Sequence, residues 1–284
     1  MEKFNNRAGN IPALTDEERL LISRAAELSA RCDYQAVASC FLTPREQRIL
    51  HEAGVDRGGF FFGGAPGATR RKLVYLPSWM EADEKRGGVF SGDGEDKFLS
   101  ALDSYGSRDM IGEFCVPVRL RCSGYESLSH RDWLGSLMAL GIKRETIGDI
   151  CFFNGEAYVF ADPKTAEFIS MELSRAGRDK VSAETCSLPD GFCIENDFEP
   201  VSSTVASPRL DGVIRALCNI SREDAANLVE AGYAELNYFT ELKPDAAVSD
   251  GDIVSVRGQG KFIIDNCSQM TKKGRFRLTA RKYV

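Results

Sequence analysis

The sequence predicts an α+β protein of three parts. A small N-terminal helical and hairpin subdomain covers 1–80, a middle domain of split βαββαβ topology covers 81–186, and a small α+β domain covers 208–284, after a linker at 187–207. Three observations carry this. Helix-start signatures and one hairpin pattern fill the first 75 residues. Strand and helix patterns alternate from Phe98 to Cys186. Two amphipathic helices followed by short strands close the chain. A length of 284 residues accommodates two or three domains, and 43% hydrophobic with 27% charged residues supports a genuine core.

Residues 1–14 are expected to be flexible. Thr15-Asp16-Glu17-Glu18 is a capping box, opening a helix with Leu20, Leu21, Ala25 and Leu28 on one side. A second helical stretch is expected from Asp33 to Phe41. Thr43-Pro44-Arg45-Glu46 opens a third, with a threonine cap and proline at the first helical position, and Gly54 ends it. Phe60-Phe61-Phe62 and Leu73-Val74-Tyr75-Leu76 read as paired strands. The loop between them, Gly63 to Lys72, reads as a mobile hairpin tip with a basic edge. It is glycine-rich, yet it lacks the Gly-Lys-Ser/Thr ending and the following helix of a phosphate-binding loop. Residues 81–96 are polar and read as a loop.

In the middle domain, Phe98 to Tyr105 is a short helix and Phe114 to Leu120 a strand. Ser129 to Leu140 is a helix closed by Gly141, with Leu134, Leu137, Met138 and Ile142 spaced for burial and Gly135 permitting close contact with a sheet. Ile147 to Phe153 and Ala157 to Phe160 form a hairpin about Asn154-Gly155, a strong turn signal. Asp162-Pro163 caps a helix running to about Arg175, and Val181 to Cys186 is the last strand. The order is that of a ferredoxin-like, RRM-like unit. Both RNA-binding domains and enzymes use it, so topology alone leaves function open.

Ser129-His130-Arg131-Asp132 is the sharpest catalytic candidate. A kinase catalytic loop also contains His-Arg-Asp, but no Asp-Phe-Gly follows and no glycine-rich nucleotide loop precedes it. As an acid/base pair, His130 and Asp132 would project from different sides of a helix. The plainer reading is that Ser129 caps the helix and Asp132 completes the box. Nine scattered cysteines without Cys-x-x-Cys spacing and only two histidines speak against a metal cluster. No metal or cofactor is expected.

No run approaches the ~20 apolar residues of a membrane span, and Met1 to Asn6 has no apolar signal core. A cytoplasmic location is expected. Net charge is −6, distributed unevenly. Residues 207–284 hold 12 Lys+Arg and 10 Asp+Glu, whereas 1–206 hold 24 and 32. From Lys261 to Val284 there are seven basic residues and one acid, Asp265. A basic end on an acidic body suits contact with a polyanion at one end; a solvated terminal strand is the plainer account.

The most informative stretch runs from Pro208 to Asn266. Leu210, Val213, Ile214 and Leu217 make one apolar stripe. Ser221 can cap a second helix, with Asp224 three residues on and Gly232 at its end. Leu236, Val248, Ile253, Val254 and Val256 supply strands. Arg209 and Arg222 stand at two adjacent helix starts, where the helix dipole disfavours a cation by about 0.3–1 kcal/mol. Together with free N–H groups there, they could clamp a phosphate. Solvated surface arginines are the plainer alternative.

This stretch resembles the RNA-binding domain named after ribosomal protein S-four. The resemblance rests on Arg209-Leu210-Asp211, Ser221-Arg222, Ala225, Gly232, Asn237, Gly251-Asp252 and Val256-Arg257-Gly258. Gly212 and Glu235 depart from it, where that family often has basic residues. The run from Leu128 to Ile150, containing His130-Arg131-Asp132-Trp133-Leu134-Gly135-Ser136-Leu137 and Gly141-Ile142-Lys143-Arg144-Glu145-Thr146-Ile147-Gly148-Asp149-Ile150, resembles the signature of the YlmH family of bacterial RNA-binding proteins. Lys143 and Arg144 have a plainer role there, as cations at a helix C-terminus.

The resemblances imply a non-enzymatic RNA-binding protein of the translation machinery. Ribosomal RNA of the large ribosomal subunit or tRNA is the expected partner, with a role in rescue of stalled chains. The expected contacts are Arg209, Arg215, Arg222, Arg257 and Lys261 in the C-terminal domain, with His130, Arg131, Lys143 and Arg144 in the middle domain. The alternatives are an RNA-modifying enzyme such as a pseudouridine synthase, since those also carry S-four-like modules, and a cell-division adaptor that binds protein.

Overall fold

A computed structural model describes residues 14–80, 94–123, 128–272 and 274–284. The expected flexible start falls outside them up to residue 13, as does the expected loop at 81–96 over 81–93. The chain divides into two compact units, Met1–Glu195 and Asn196–Val284.

The first unit opens with α1 (Asp16–Arg31) and α2 (Pro44–Glu52). Both expected capping boxes form, at Thr15–Glu18 and Thr43–Glu46. Between the helices the chain is a short strand, β1 (Val37–Ala38), and the helix expected over Asp33–Phe41 is absent. The reason is an available edge. Val37 and Ala38 pair with Tyr75 and Val74 of β3 (Lys72–Tyr75), which also pairs with β2 (Gly59–Phe62). The resulting sheet runs in order β1-β3-β2, so the expected hairpin gains a third strand where the second helix was expected.

After α3 (Gly94–Ser104) and a single turn, α4 (Ile111–Phe114), comes the five-stranded sheet. Its strands are β4 (Val116–Cys122), β5 (Ile147–Phe153), β6 (Glu156–Ala161), β7 (Arg175–Ala176) and β8 (Asp179–Thr185), with α5 (His130–Ala139) and α6 (Pro163–Glu172) between them. The order is β5-β6-β4-β8-β7, with every neighbour antiparallel. Without the small β7, this is the arrangement a split βαββαβ unit produces. The strand pleat sends alternate residues to opposite faces. Val118, Leu120, Val159 and Ile150 pack with Trp133 and Leu137 of α5 and Ile169 of α6. On the other face, Tyr158 and Phe160 lie against Phe41, Phe60, Phe62, Phe98 and Phe192. The N-terminal subdomain therefore covers much of the sheet face that α5 and α6 leave open.

The joint is the loop expected to be a mobile tip. Ala65 and Ala68 are buried. At Gly64 (φ +101°) an added methyl would overlap the Phe160 ring and Cys115 Sγ. Asp149 accepts hydrogen bonds from Thr69 N–H (2.5 Å), Thr69 Oγ1 (2.7 Å) and Arg70 N–H (3.1 Å). The basic edge turns inward. Arg70 donates to the carbonyls of Phe41, Arg144 and Ile147, and Arg71 to that of Ala68. Lys72 is buried, paired with Asp162 and 4.8 Å from the Phe41 ring centre. Asp162 therefore begins α6 without a side-chain cap bond. Gly135 is exposed, with open space around it, so it is not the close contact expected.

The second unit begins inside the expected linker. Residues 198–205 form β9 (Phe198–Val205), paired along its length with β14 (Phe276–Tyr283). Between them lie α7 (Leu210–Cys218), α8 (Arg222–Glu230), β10 (Ala234–Leu236), β11 (Phe239–Thr240), β12 (Ile253–Val256) and β13 (Gly260–Asn266). The six-stranded sheet runs β11-β10-β12-β13-β14-β9. One face packs on the helices. Leu210, Val213, Ile214, Ala225 and Val229 meet Val254, Phe262, Ile264 and Leu278. The stripe on α7 is buried at all four expected positions.

Candidate nucleic-acid interface

Arg209 and Arg222 converge on one carboxylate. Arg209 precedes α7 and Arg222 opens α8, and the break at Asn219, in the left-handed region at φ +53°, turns one helix start toward the other. Asp211 accepts from Arg209 Nε at 3.3 Å and from Arg222 Nε and Nη2 at 3.0 and 2.9 Å. The Asp211 side chain is 5% exposed, while those of Arg209 and Arg222 are 42% and 61% exposed. A buried acid thus aims two solvent-facing guanidiniums, leaving one net positive charge and unused N–H donors.

At α7 the backbone part of the expected clamp is already taken up. The N–H groups of Leu210 and Asp211 donate to Ala246 and Pro244 carbonyls, and that of Gly212 to Asp211 itself. The first turn of α7 therefore offers side chains, and not amides, to an anion.

The other expected contacts of this unit are spread around it. Arg215 is exposed in the last turn of α7 and pairs with no carboxylate among the described residues. Arg257 is exposed in the turn after β12, its guanidinium 5.3 Å from the Tyr233 ring. Lys261 lies between two rings, its Nζ 4.6 Å from Tyr238 and 4.8 Å from Tyr283. Burial there pulls its pKa below the usual lysine value. Asn237 and Asp252 bond to each other at 2.8 Å and pin the turn before β11, a structural task.

In the first unit His130 and Arg131 are exposed at the start of α5. Asp132 accepts from Ser129 N–H and Oγ at 2.9 and 2.6 Å. Those bonds hold its carboxyl below the usual range, completing the expected cap. Lys143 is exposed on the rim of a cleft of about 260 Å³ that Thr146, Lys164, Thr165 and Phe168 also line. Arg144 is the exception. Its Nη1 donates to the carbonyls of Ile147 (2.8 Å) and Gly148 (2.9 Å), and burial, with Arg70 beside it, lowers its pKa to about 10. It braces the joint with the hairpin loop, where Arg70 also donates to its carbonyl. Lys164 and Phe168 were not expected at this cleft; they lie on α6, far along the chain from Lys143, and nothing local marks them.

Two α+β units that carry exposed cations on helix starts and turns define a modular protein with cationic display surfaces. Residues 121–190, which include His130, Arg131 and Lys143, match the family model described as "Putative RNA-binding domain in YlmH". Over 267 residues the chain is 30% identical to "Ribosome-associated protein quality control protein P2" of Bacillus subtilis (strain 168), covering 93% of this chain and 94% of that protein. The chain belongs to the YlmH family. A solved structure titled "Cell division protein ylmH from Streptococcus pneumoniae" aligns with a TM-score of 0.41 at 16% identity, over 62% of this chain and 94% of that one.

Proposed function

We propose that this protein is a non-enzymatic RNA-binding protein of the cytoplasmic translation machinery. Its target is ribosomal RNA of the large subunit or tRNA, bound during quality control of stalled chains. The observation that carries the reading is the Arg209–Asp211–Arg222 arrangement, which presents two oriented guanidiniums for phosphate. Family membership and the ribosome-associated relative support it, as does the S-four-like pattern around those residues. The engagement of Asp211 with two arginines and a backbone N–H favours binding over the pseudouridine-synthase alternative, in which a carboxylate in such a context would have to reach a base. Among the described residues no helix is long and apolar enough to cross a membrane.

The test is co-sedimentation with ribosomes over a salt series, before and after RNase treatment. The wild-type protein should travel with the large subunit and be released by RNase. Arg222→Ala should bind more weakly across RNA sequences, and the slope of log affinity against log salt should fall by about 0.7–0.9, one phosphate contact. Unchanged binding and slope in Arg222→Ala would sink the assignment. Binding that survives RNase would favour the adaptor alternative.

A further inference from the structure

The second sheet of side chains in the C-terminal unit has no place in the phosphate clamp. Pleating places Lys261, Ile263, Arg277, Arg281, Tyr283 and Phe198 on the face turned away from α7 and α8. A solvent face of a sheet ordinarily carries threonine and charged residues. This one gathers rings. Tyr283 and Phe198 are paired across β14 and β9 and meet edge-on at 4.8 Å. Arg281 lies 5.0 Å from the Phe198 ring, and Lys261 sits between Tyr283 and Tyr238. Rings and cations alternate across three strands and the turn after β10. Of the carboxylates near these cations, Asp265 is paired with Arg281 at 2.9 Å and Glu235 acts on Lys261.

Resting on the RNA-binding reading, we propose that this face is a stacking platform for unpaired bases of a single-stranded RNA segment. Its cations, four residues apart on β14 at about 13 Å, track the backbone. The chemistry selects this occupant. Aromatic faces interleaved with cations accept any base by stacking while the cations meet phosphate. A duplex keeps its bases stacked inside and gives such rings nothing to hold. An apolar protein partner would not require the alternating charge. The platform is distinct from the clamp, which is built on α7 and α8.

The experiment uses the full chain with a labelled oligouridylate of about twelve nucleotides and with a blunt-ended RNA duplex, read by fluorescence anisotropy. Tyr283→Leu should weaken binding of the single strand roughly tenfold, as loss of one stacked base does. Tyr283→Phe should bind like the wild type, because it keeps the ring. Duplex binding should be unchanged in both, whereas Arg222→Ala should weaken it. Ultraviolet cross-linking of the wild-type protein to the oligouridylate should place adducts on peptides containing Tyr238, Phe198 or Tyr283. If Tyr283→Leu and Phe198→Leu both bind the single strand normally, or if adducts are confined to the Arg209–Arg222 region, the platform is refuted while the clamp stands. If those variants keep RNA binding but lose a co-purifying protein, the face is a protein-docking surface and the proposal is wrong. If the wild-type protein binds neither RNA, both readings fall together.

Discussion

Replacing Asp211 with asparagine separates two accounts of the arginine pair. If charge alone matters, deleting a carboxylate should help RNA. At about 8 Å through water a unit repulsion is about 0.5 kcal/mol, so affinity would rise roughly twofold. If positioning matters, affinity should fall. Arg209 and Arg222 are held by bonds of 2.9–3.3 Å to one buried acid. Without that anchor each must be ordered at the moment of binding, at about 0.5–1.5 kcal/mol per side chain, or about 1–3 kcal/mol for the two. Subtracting the charge benefit leaves a loss of about 0.5–2.5 kcal/mol, roughly 2- to 60-fold in affinity. Breaking a fully buried pair costs about 3–5 kcal/mol. Here both guanidiniums face solvent, so the stability cost should be nearer 1–2 kcal/mol. Urea unfolding of the full chain checks that cost and fixes conditions in which Asp211→Asn is folded. Anisotropy with a hairpin RNA then reads the affinity. Equal or tighter binding by Asp211→Asn would refute positioning.

Three further predictions concern the first unit. Gly148→Ala places a methyl 2.8 Å from the Phe41 ring and 3.2 Å from Phe160 Cβ; overpacking should cost about 1–3 kcal/mol, read by urea unfolding, and an unchanged midpoint would contradict the close fit. Asp149→Ala removes the acceptor of three hydrogen bonds from Thr69 and Arg70, so amide exchange over residues 63–72 should accelerate, while α1 and α5 keep their protection; unaltered exchange in the loop would show that packing alone holds it. His51 has its pKa raised, chiefly by the hydrogen bond to Asp56 and against burial. The protonated form therefore favours the fold: the contribution is complete below the unfolded value of about 6.5 and disappears as pH rises through the higher folded value. The wild-type melting temperature should fall relative to that of His51→Gln between about pH 6 and pH 8.5, and parallel curves would exclude the pair as the source.

Features set by neighbouring residues were legible. The boxes at Thr15 and Thr43 and the four buried positions of α7 follow from local spacing. The Asn154-Gly155 turn, with φ of +50° and +79°, does too. Features set by distant partners were not. Val37 and Ala38 are extended because β3 offers an edge some forty residues later. Phe198–Val205 is a strand because β14, at the far end of the chain, completes it. Residues 63–72 have the composition of a mobile tip, but their hydrogen-bond partner Asp149 is 80 residues from Thr69.

The same distinction decides how the signature run Lys143 to Ile150 should be understood. Such a run invites assignment to ligand binding throughout, yet its members do different jobs. Gly148 makes room for Phe41, Asp149 receives the loop, and Arg144 ties the carbonyls of Ile147 and Gly148. These three join the hairpin loop to the five-stranded sheet: Gly148 by its size, Asp149 by its carboxylate oxygens and Arg144 by Nη1. On the proposed RNA-binding reading, the candidate contacts of this unit are His130, Arg131 and Lys143, which are exposed and whose side chains make no hydrogen bond among the described residues. A cation that spends its donors on its own backbone has little left for phosphate, so substituting Arg144 should disturb folding before it disturbs binding, while Lys143 should do the reverse.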